Sequence, residues 1–289
     1  MTDYRIGVIG GSGLYQMEGL VVKEMRTVET PFGPPSDPYV LGEIGGRGVA
    51  FLARHGAGHR LMPSELNYRA NLYGFKTLGV DRLISLSAVG SMKLEYEPTQ
   101  IVVVDQFIDR TRHRADTFFG EGLVAHVSLA DPVCPQLVPL FAASARAAGA
   151  VVHEGGTYLC MEGPQFSTRA ESRLYRSWGV DVIGMTNLTE ARLAREAEIC
   201  YATLALVTDY DCWHDEEADV SVTSVLEVLG LNARTAQAVV AEIVRRLPAE
   251  APSGCPCCGA LEQALITARD RISRDALERL RPLVGRVLD

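Results

Sequence analysis

A chain of 289 residues, 47% of them hydrophobic, can bury a sizeable core, and a net charge of −8 excludes the broad basic face that a nucleic-acid backbone demands. Apolar runs fall short of membrane length, and Met1-Thr2-Asp3-Tyr4-Arg5 puts no basic stretch ahead of a hydrophobic one, so a cytoplasmic protein is expected, neither secreted nor inserted in a membrane.

Short apolar, β-branched runs at 5–9, 39–41, 49–52, 83–86, 101–104, 158–160, 180–183 and 199–207 predict strands. Helical patterns occupy 64–78, 136–148, 169–178, 188–198, 220–247 and 260–287. The alternation predicts an α/β fold with a single domain, built on a twisted mixed central sheet flanked by helices. The early strands crowd too closely for the regular units of a (β/α)₈ barrel. Residues 248–254, with two prolines and a glycine, read as a linker between a catalytic domain at 1–247 and a docked helical tail, 248–289, of the same domain.

Seven cysteines are an odd number, and Cys134, Cys160, Cys200 and Cys212 stand singly in apolar or strand contexts, as reduced thiols do. Cys255-Pro256-Cys257-Cys258 contains a C-x-x-C spacing but has no second such pair and no histidine after His214, so no metal is expected. A local or cross-chain disulfide stays open there.

Chemistry-bearing residues gather where the predicted strands end, the place where open α/β sheets bind ligands. Gly10-Gly11-Ser12-Gly13 offers backbone N–H groups and a hydroxyl to an anion, with a plain tight turn as the alternative. It matches neither the dinucleotide fingerprint nor a P-loop. Arg54 and His55, amid glycines, supply a guanidinium matched to phosphate and an imidazole. Ser85-Leu86-Ser87-Ala88-Val89-Gly90-Ser91 exposes small residues and backbone donors, and Gly184-Met185-Thr186-Asn187 adds an apolar wall and a hydroxyl. Between them in sequence order, Glu162-Gly163-Pro164 forms a turn carrying Phe166 into a helix for which Thr168 and Glu171 make a capping box.

Asp209 and Asp211 close the longest strand-like run. If strand geometry persists, both carboxylates face one spot, a costly arrangement unless a ligand's donors or a shared proton accept them. The alternative is a loop whose aspartates cap or face water. The chain lacks H-E-x-x-H, G-x-S-x-G and a carboxylate-rich metal cage, so the site is read as one that binds an anion and an uncharged ring.

In combination, Gly10-Gly11-Ser12-Gly13, Thr30-Pro31-Phe32-Gly33, Pro35-Ser36-Asp37, Ala53-Arg54-His55-Gly56, Met62-Pro63-Ser64 with Asn67-Tyr68, Asp105-Gln106-Phe107-Ile108-Asp109-Arg110-Thr111, Glu162-Gly163-Pro164 and Thr208-Asp209-Tyr210-Asp211-Cys212-Trp213 resemble the trimeric purine nucleoside phosphorylase family. The likeness runs to about Leu247 and is strongest to the branch that phosphorolyses 5′-methylthioadenosine. It implies the nucleoside phosphorylase type I fold, no cofactor, inorganic phosphate as co-substrate, and a homotrimer or a dimer of trimers.

By resemblance, Ser12, Arg54, His55, Ser87, the Ala88 N–H and Thr186 line the phosphate site, with serine at 12 and 87 where members often carry threonine. Phe166 and Met185 hold purine and ribose. Asp209 shares a proton at purine N7 and Asp211 accepts from the 6-amino group. Val222, Val225 and Leu226 line the 5′-methylthio pocket, which His126 reaches from a neighbouring subunit. The cysteine pattern of the tail is similar to that of thermophilic archaeal and some bacterial members. Rival readings are a 6-oxopurine nucleoside or methylthioinosine phosphorylase, a hydrolytic nucleosidase, and a non-catalytic nucleoside-binding or redox module.

Overall fold

The computed structural model describes residues 3–11, 17–214, 221–250 and 254–288. Eleven strands among them join in one mixed sheet. These are β1 (Ile6–Gly10), β2 (Leu20–Arg26), β3 (Tyr39–Ile44), β4 (Arg47–Ala53), β5 (Arg82–Ser91), β6 (Ile101–Val103), β7 (Gln106–Arg110), β8 (Val152–Glu154), β9 (Thr157–Met161), β10 (Val182–Gly184) and β11 (Cys200–Asp209). The order is β2-β3-β4-β1-β5-β10-β9-β7, while β11 pairs with β5 and β6, and β6 with β8. The helices are α1 (Tyr68–Thr77), α2 (Leu137–Ala147), α3 (Arg169–Ser177), α4 (Asn187–Glu196), α5 (Val222–Arg246) and α6 (Arg274–Leu288). None of the described helices is long and apolar enough to cross a membrane.

The central strands are apolar on both faces because both are covered. Ile84, Ala202 and Leu204 pack with Phe141 of α2 and with Val240 and Ile243 of α5. Their neighbours Leu83 and Tyr201, pointing the other way, pack with α1, α4 and α6 through Leu72, Ala194 and Leu280. Strand alternation thus divides the core in two.

Several expectations need correction. The strands at 20–26, 106–110 and 152–154 were absent from the sequence reading. β2 is an edge strand that exposes Val21, Val22 and Met25, and β7 is mostly polar, so neither carries a buried run. α1 begins at Tyr68 rather than at 64, with the Asn67 side chain accepting from the Ala70 N–H. The helix expected over 260–287 forms only from Arg274, after a 3₁₀ turn at Arg269–Arg271. Residues 255–265 form turns instead, tied by Cys258 N–H to Cys255 O at 3.0 Å and Glu262 N–H to Gly259 O at 3.2 Å. Ala125 also bridges to Leu265.

The segment after α5 is held by buried arginine. Arg82 donates to the carbonyls of Pro248, Glu250 and Ala249, and Arg47 to those of Val244, Leu247 and Pro248.

Candidate active site

β5 organises the site. Its first residues, Arg82 to Ser85, pair with β1, and its last, Gly90 and Ser91, with β10 on the same edge. Arg82 N–H bonds to Arg5 O and Met92 N–H to Asp181 O, so the even-numbered backbone groups point to that edge. Alternation puts the groups of Leu86 and Ala88 there too, in the stretch where neither β1 nor β10 is in register. The serine-rich segment is therefore not past a strand end, as its composition suggests. It is a strand whose one edge is divided between two neighbours, and Ala88 is partly accessible there.

Arg54 follows β4, and its N–H bonds to Gly10 O at 2.9 Å. Arg54 is only 3% exposed. Nε and Nη2 form a two-pronged pair with Glu190 at 2.5 and 3.1 Å, Nη2 also donates to Ser85 Oγ at 2.7 Å, and Nη1 to Leu86 O at 2.7 Å. Of five N–H donors, these bonds leave one, on Nη1. The guanidinium expected to meet phosphate thus turns its planar fork onto Glu190. Burial opposes the charge of Arg54, and Glu190 overrides it, raising the pKa. Glu190 in turn accepts from Ser85 Oγ and Tyr201 OH, both at 3.0 Å. Asn187 donates to Ser85, Tyr201 and Thr203, while its Oδ1 accepts from Thr186 Oγ1 at 3.1 Å. Arg54, Ser85, Asn187 and Thr186 form one buried network.

Ser87 Oγ lies 3.4 Å from Tyr158 OH. His55 Nδ1 lies 2.8 Å from Leu61 O, and because a carbonyl can only accept, Nδ1 carries the proton. Burial, then the charge of Arg54, lower its pKa to about 4, so at neutral pH the ring is uncharged and Nε2 holds a lone pair. His55 stacks on His59 at 4.2 Å between ring centres. Ser12, expected beside these groups, lies outside the described residues.

Three residues further along β5, Gly90 meets the aspartates. A Cβ on Gly90 would lie 2.9 Å from Asp209 Oδ1 and 3.4 Å from Asp211 Cβ, so a side chain here would displace the Asp209 carboxyl. The pair does converge, but not by the alternation expected. The register of β11 slips between Val207 and Asp209. Asp209 Oδ1 then accepts the Asp211 N–H at 2.8 Å, and the chain turns with Asp211 at φ 50°. Asp209 Oδ2 accepts from Thr208 Oγ1 at 2.7 Å. Asp211 Oδ2 is buried and has no hydrogen-bond partner. Burial raises the pKa of both carboxyls, with the Asp209 charge adding to the shift at Asp211, while hydrogen bonds oppose it at each.

Phe166 and Met185 flank this end. The Met185 sulfur packs so tightly on Gly163 that a Cβ there would come within 2.6 Å. Cys212 Sγ approaches Ser167 O at 3.2 Å, tying the Phe166 loop to the aspartate turn. The expected capping box of Thr168 and Glu171 is present. Phe166 is 42% exposed, as are Val222 and Leu226 at 64% and 61% at the start of α5, with Val225 half-buried between them. His126 is exposed on a segment whose backbone N–H bonds to Ala264 O at 2.9 Å.

Glu190, Tyr158 and Arg114 were missed by the sequence reading. Arg114 clamps two loops, donating to Met185 O at 2.7 Å and Glu162 O at 2.9 Å. Glu190 sits inside an ordinary helical pattern and Arg114 in a polar loop, so only their long-range partners mark them. A charged residue on the buried face of a helical pattern was the one signal available for Glu190.

The model of the phosphorylase superfamily matches residues 5–245. The chain belongs to the phosphorylase superfamily. The resemblance drawn from its motifs is borne out. The S-methyl-5′-thioadenosine phosphorylase of Koribacter versatilis is 58% identical over 282 residues, covering 97% of this chain and 96% of its own. The crystal structure of a methylthioadenosine phosphorylase from an antarctic soil metagenomic library is 50% identical with a TM-score of 0.93, covering 98% of this chain and 99% of its own. The methylthioadenosine phosphorylase from Schistosoma mansoni in complex with adenine is 36% identical with a TM-score of 0.82, over 86% of this chain and 93% of its own. The network around Arg54 and the aspartate pair at Gly90 both lie along β5.

Proposed function

We propose that this chain cleaves the N-glycosidic bond of 5′-methylthioadenosine with inorganic phosphate, giving adenine and 5-methylthioribose 1-phosphate. The observation that supports the proposal is the arrangement along β5. Ser87 and Ala88 stand at the divided edge beside Arg54, and Gly90 abuts Asp209 and Asp211. Three residues of strand span ~10 Å, which suits a nucleoside lying along β5.

Phosphate is held by the hydroxyls of Ser12, Ser87 and Thr186 and by the Ala88 N–H. Arg54 contributes its charge and one Nη1–H. Neutral His55 accepts the P–OH hydrogen at Nε2. These donors place the nucleophile beneath C1′ before bond breaking, so little reorganisation is needed as the ribose gains oxocarbenium character. Phe166 and Met185 enclose purine and ribose. Asp211 Oδ2, a buried acceptor without a partner, takes a hydrogen bond from the 6-amino group. Asp209 shares a proton at N7, where negative charge develops as the base leaves; burial favours that proton by raising its pKa.

A 6-oxopurine would set O6 against the Asp211 carboxylate, which disfavours inosine-type substrates. Val222, Val225 and Leu226 offer an apolar surface to the methylthio group. His126 of a neighbouring subunit completes that pocket in a homotrimer, or a dimer of trimers. The reaction requires no cofactor, and its products feed purine and methionine salvage in the cytoplasm. Base release from methylthioadenosine, adenosine and inosine, with and without phosphate, tests the proposal. Strict dependence on phosphate with preference for the 6-amino substrates is expected; turnover without phosphate, or preference for inosine, would overturn it.

A further inference from the structure

Four cysteines that the proposed reaction does not use meet in the core. Cys134 precedes α2, Cys200 opens β11, and Cys255 and Cys257 lie in the turns after α5; all four are buried, with their sulfurs within 4.8 Å of one another. No disulfide joins any of these four. We propose that Cys134, Cys200, Cys255 and Cys257 form a structural tetrathiolate site for a Zn²⁺ ion.

The geometry favours one central ion over two sulfur pairs. Cys134 and Cys200 each lie 3.5 Å from Cys255, so the short separations share one sulfur and do not divide the four into partners. Tetrahedral Zn–S bonds of about 2.3 Å place sulfurs about 3.8 Å apart, within the range found here. Four soft thiolates in a tetrahedral, closed and dry setting match Zn²⁺ better than the hard cations, which take oxygen ligands. Cys258 is a fifth thiol, 3.9 Å from Cys200 and only partly buried, outside the set of four.

The surroundings suit the charge. Zn²⁺ with four thiolates carries two negative charges, and binding releases the thiol protons to solvent. The Leu137 N–H at the start of α2 bonds to Cys134 O at 3.0 Å, holding that ligand at the helix N-terminus. The Cys134 N–H bonds to Tyr201 O at 2.8 Å, fixing that ligand to β11.

Such an ion would join three segments distant in sequence. Within the turns at 255–265 the chain bonds back to the core, Leu261 N–H to Glu198 and Ala264 O to the backbone N–H of His126. The ion therefore anchors the base of the segment that supports the His126 arm.

Metal analysis of the full-length protein, purified with no added metal, tests the proposal together with mass spectrometry of the unreduced chain. About one zinc per chain is expected. Protein refolded with Co²⁺ should show sulfur-to-cobalt charge transfer and tetrahedral d–d bands. Cys257→Ser should lower retained zinc at least about tenfold after dialysis, and Cys258→Ser should keep it. Stripping the ion should lower Tm by on the order of 10 °C. Zinc-free protein whose mass is short of two or four hydrogens would mean disulfides and overturn the site. So would zinc that survives Cys257→Ser. The cobalt spectrum and metal content are read on the native sequence, so they decide the matter even if a variant fails to fold.

Discussion

The two charged clusters along β5, the anion end and the base end of the proposed reaction, keep buried charge in opposite ways. At the anion end, Arg54 and Glu190 are neutralised by each other, and the network through Ser85, Asn187 and Tyr201 occupies nearly every donor and acceptor. At the base end, two carboxyls are buried together with no cation in hydrogen-bonding contact among the described residues, and Asp211 Oδ2 has no partner. A satisfied network rigidifies a binding surface, whereas an unsatisfied acceptor stores a preference that only the right ligand relieves.

Breaking the ion pair should have the largest effect on folding. Glu190→Gln leaves a buried guanidinium uncompensated, and the loss should reach ~3–5 kcal/mol in urea unfolding, with activity falling alongside. A change below about 1 kcal/mol would mean that Arg54 reaches solvent or another anion when Glu190 is neutral.

At the base end the effect should be kinetic. Asp209→Asn should lower kcat/KM for methylthioadenosine by at least about tenfold, since general acid catalysis contributes 10²–10⁴, with the unfolding midpoint little changed. Unchanged turnover in a folded variant would remove Asp209 from the proposed role. Asp211→Asn should shift the preference between adenosine and inosine toward inosine by about tenfold or more. The same variant should gain stability on the order of 1 kcal/mol, because a carboxylate whose charge burial opposes is replaced by a neutral amide. A destabilised Asp211→Asn protein would show that the acceptor is satisfied in solution.

The smallest effect is a pH dependence at the anion end. The pKa of His55 falls to about 4 on folding from an ordinary 6.5. The unfolded chain therefore takes up the proton first as pH drops below 6.5, and stability declines until the folded pKa near 4 is passed. The His55 contribution is fully present above 6.5 and is lost on acidification, the usual behaviour of a histidine buried neutral. Urea midpoints at pH 7 and 5 should differ more in the parent than in His55→Gln; equal differences would place the titration elsewhere.

Much of this molecule is legible locally. The apolar runs at 83–86 and 199–207 mark β5 and β11 because strands covered on both faces need continuous hydrophobic sequence. The glycines and hydroxyls after them, with Arg54, His55 and the aspartates, are the residues from which the ligand site is proposed. β2 and β7 were illegible because an edge or polar strand owes its existence to a partner's hydrogen bonds rather than to its own burial. The helix expected over 260–287 failed in its first half because turns there are held by Ala125, His126 and Glu198, residues more than a hundred positions away or on the far side of β11.

The sequence by itself determined which residue types could bind an anion and a ring, the α/β class, and the family. Tertiary structure alone decided what each does with its charge. Arg54 is turned onto Glu190, the aspartates meet through a slipped register and a turn at Gly90, and four cysteines spread over more than a hundred residues share one point. The reason is that propensity and periodicity act over a few residues, whereas burial, desolvation and ion pairing depend on which distant segments the folded chain brings within a hydrogen bond's length.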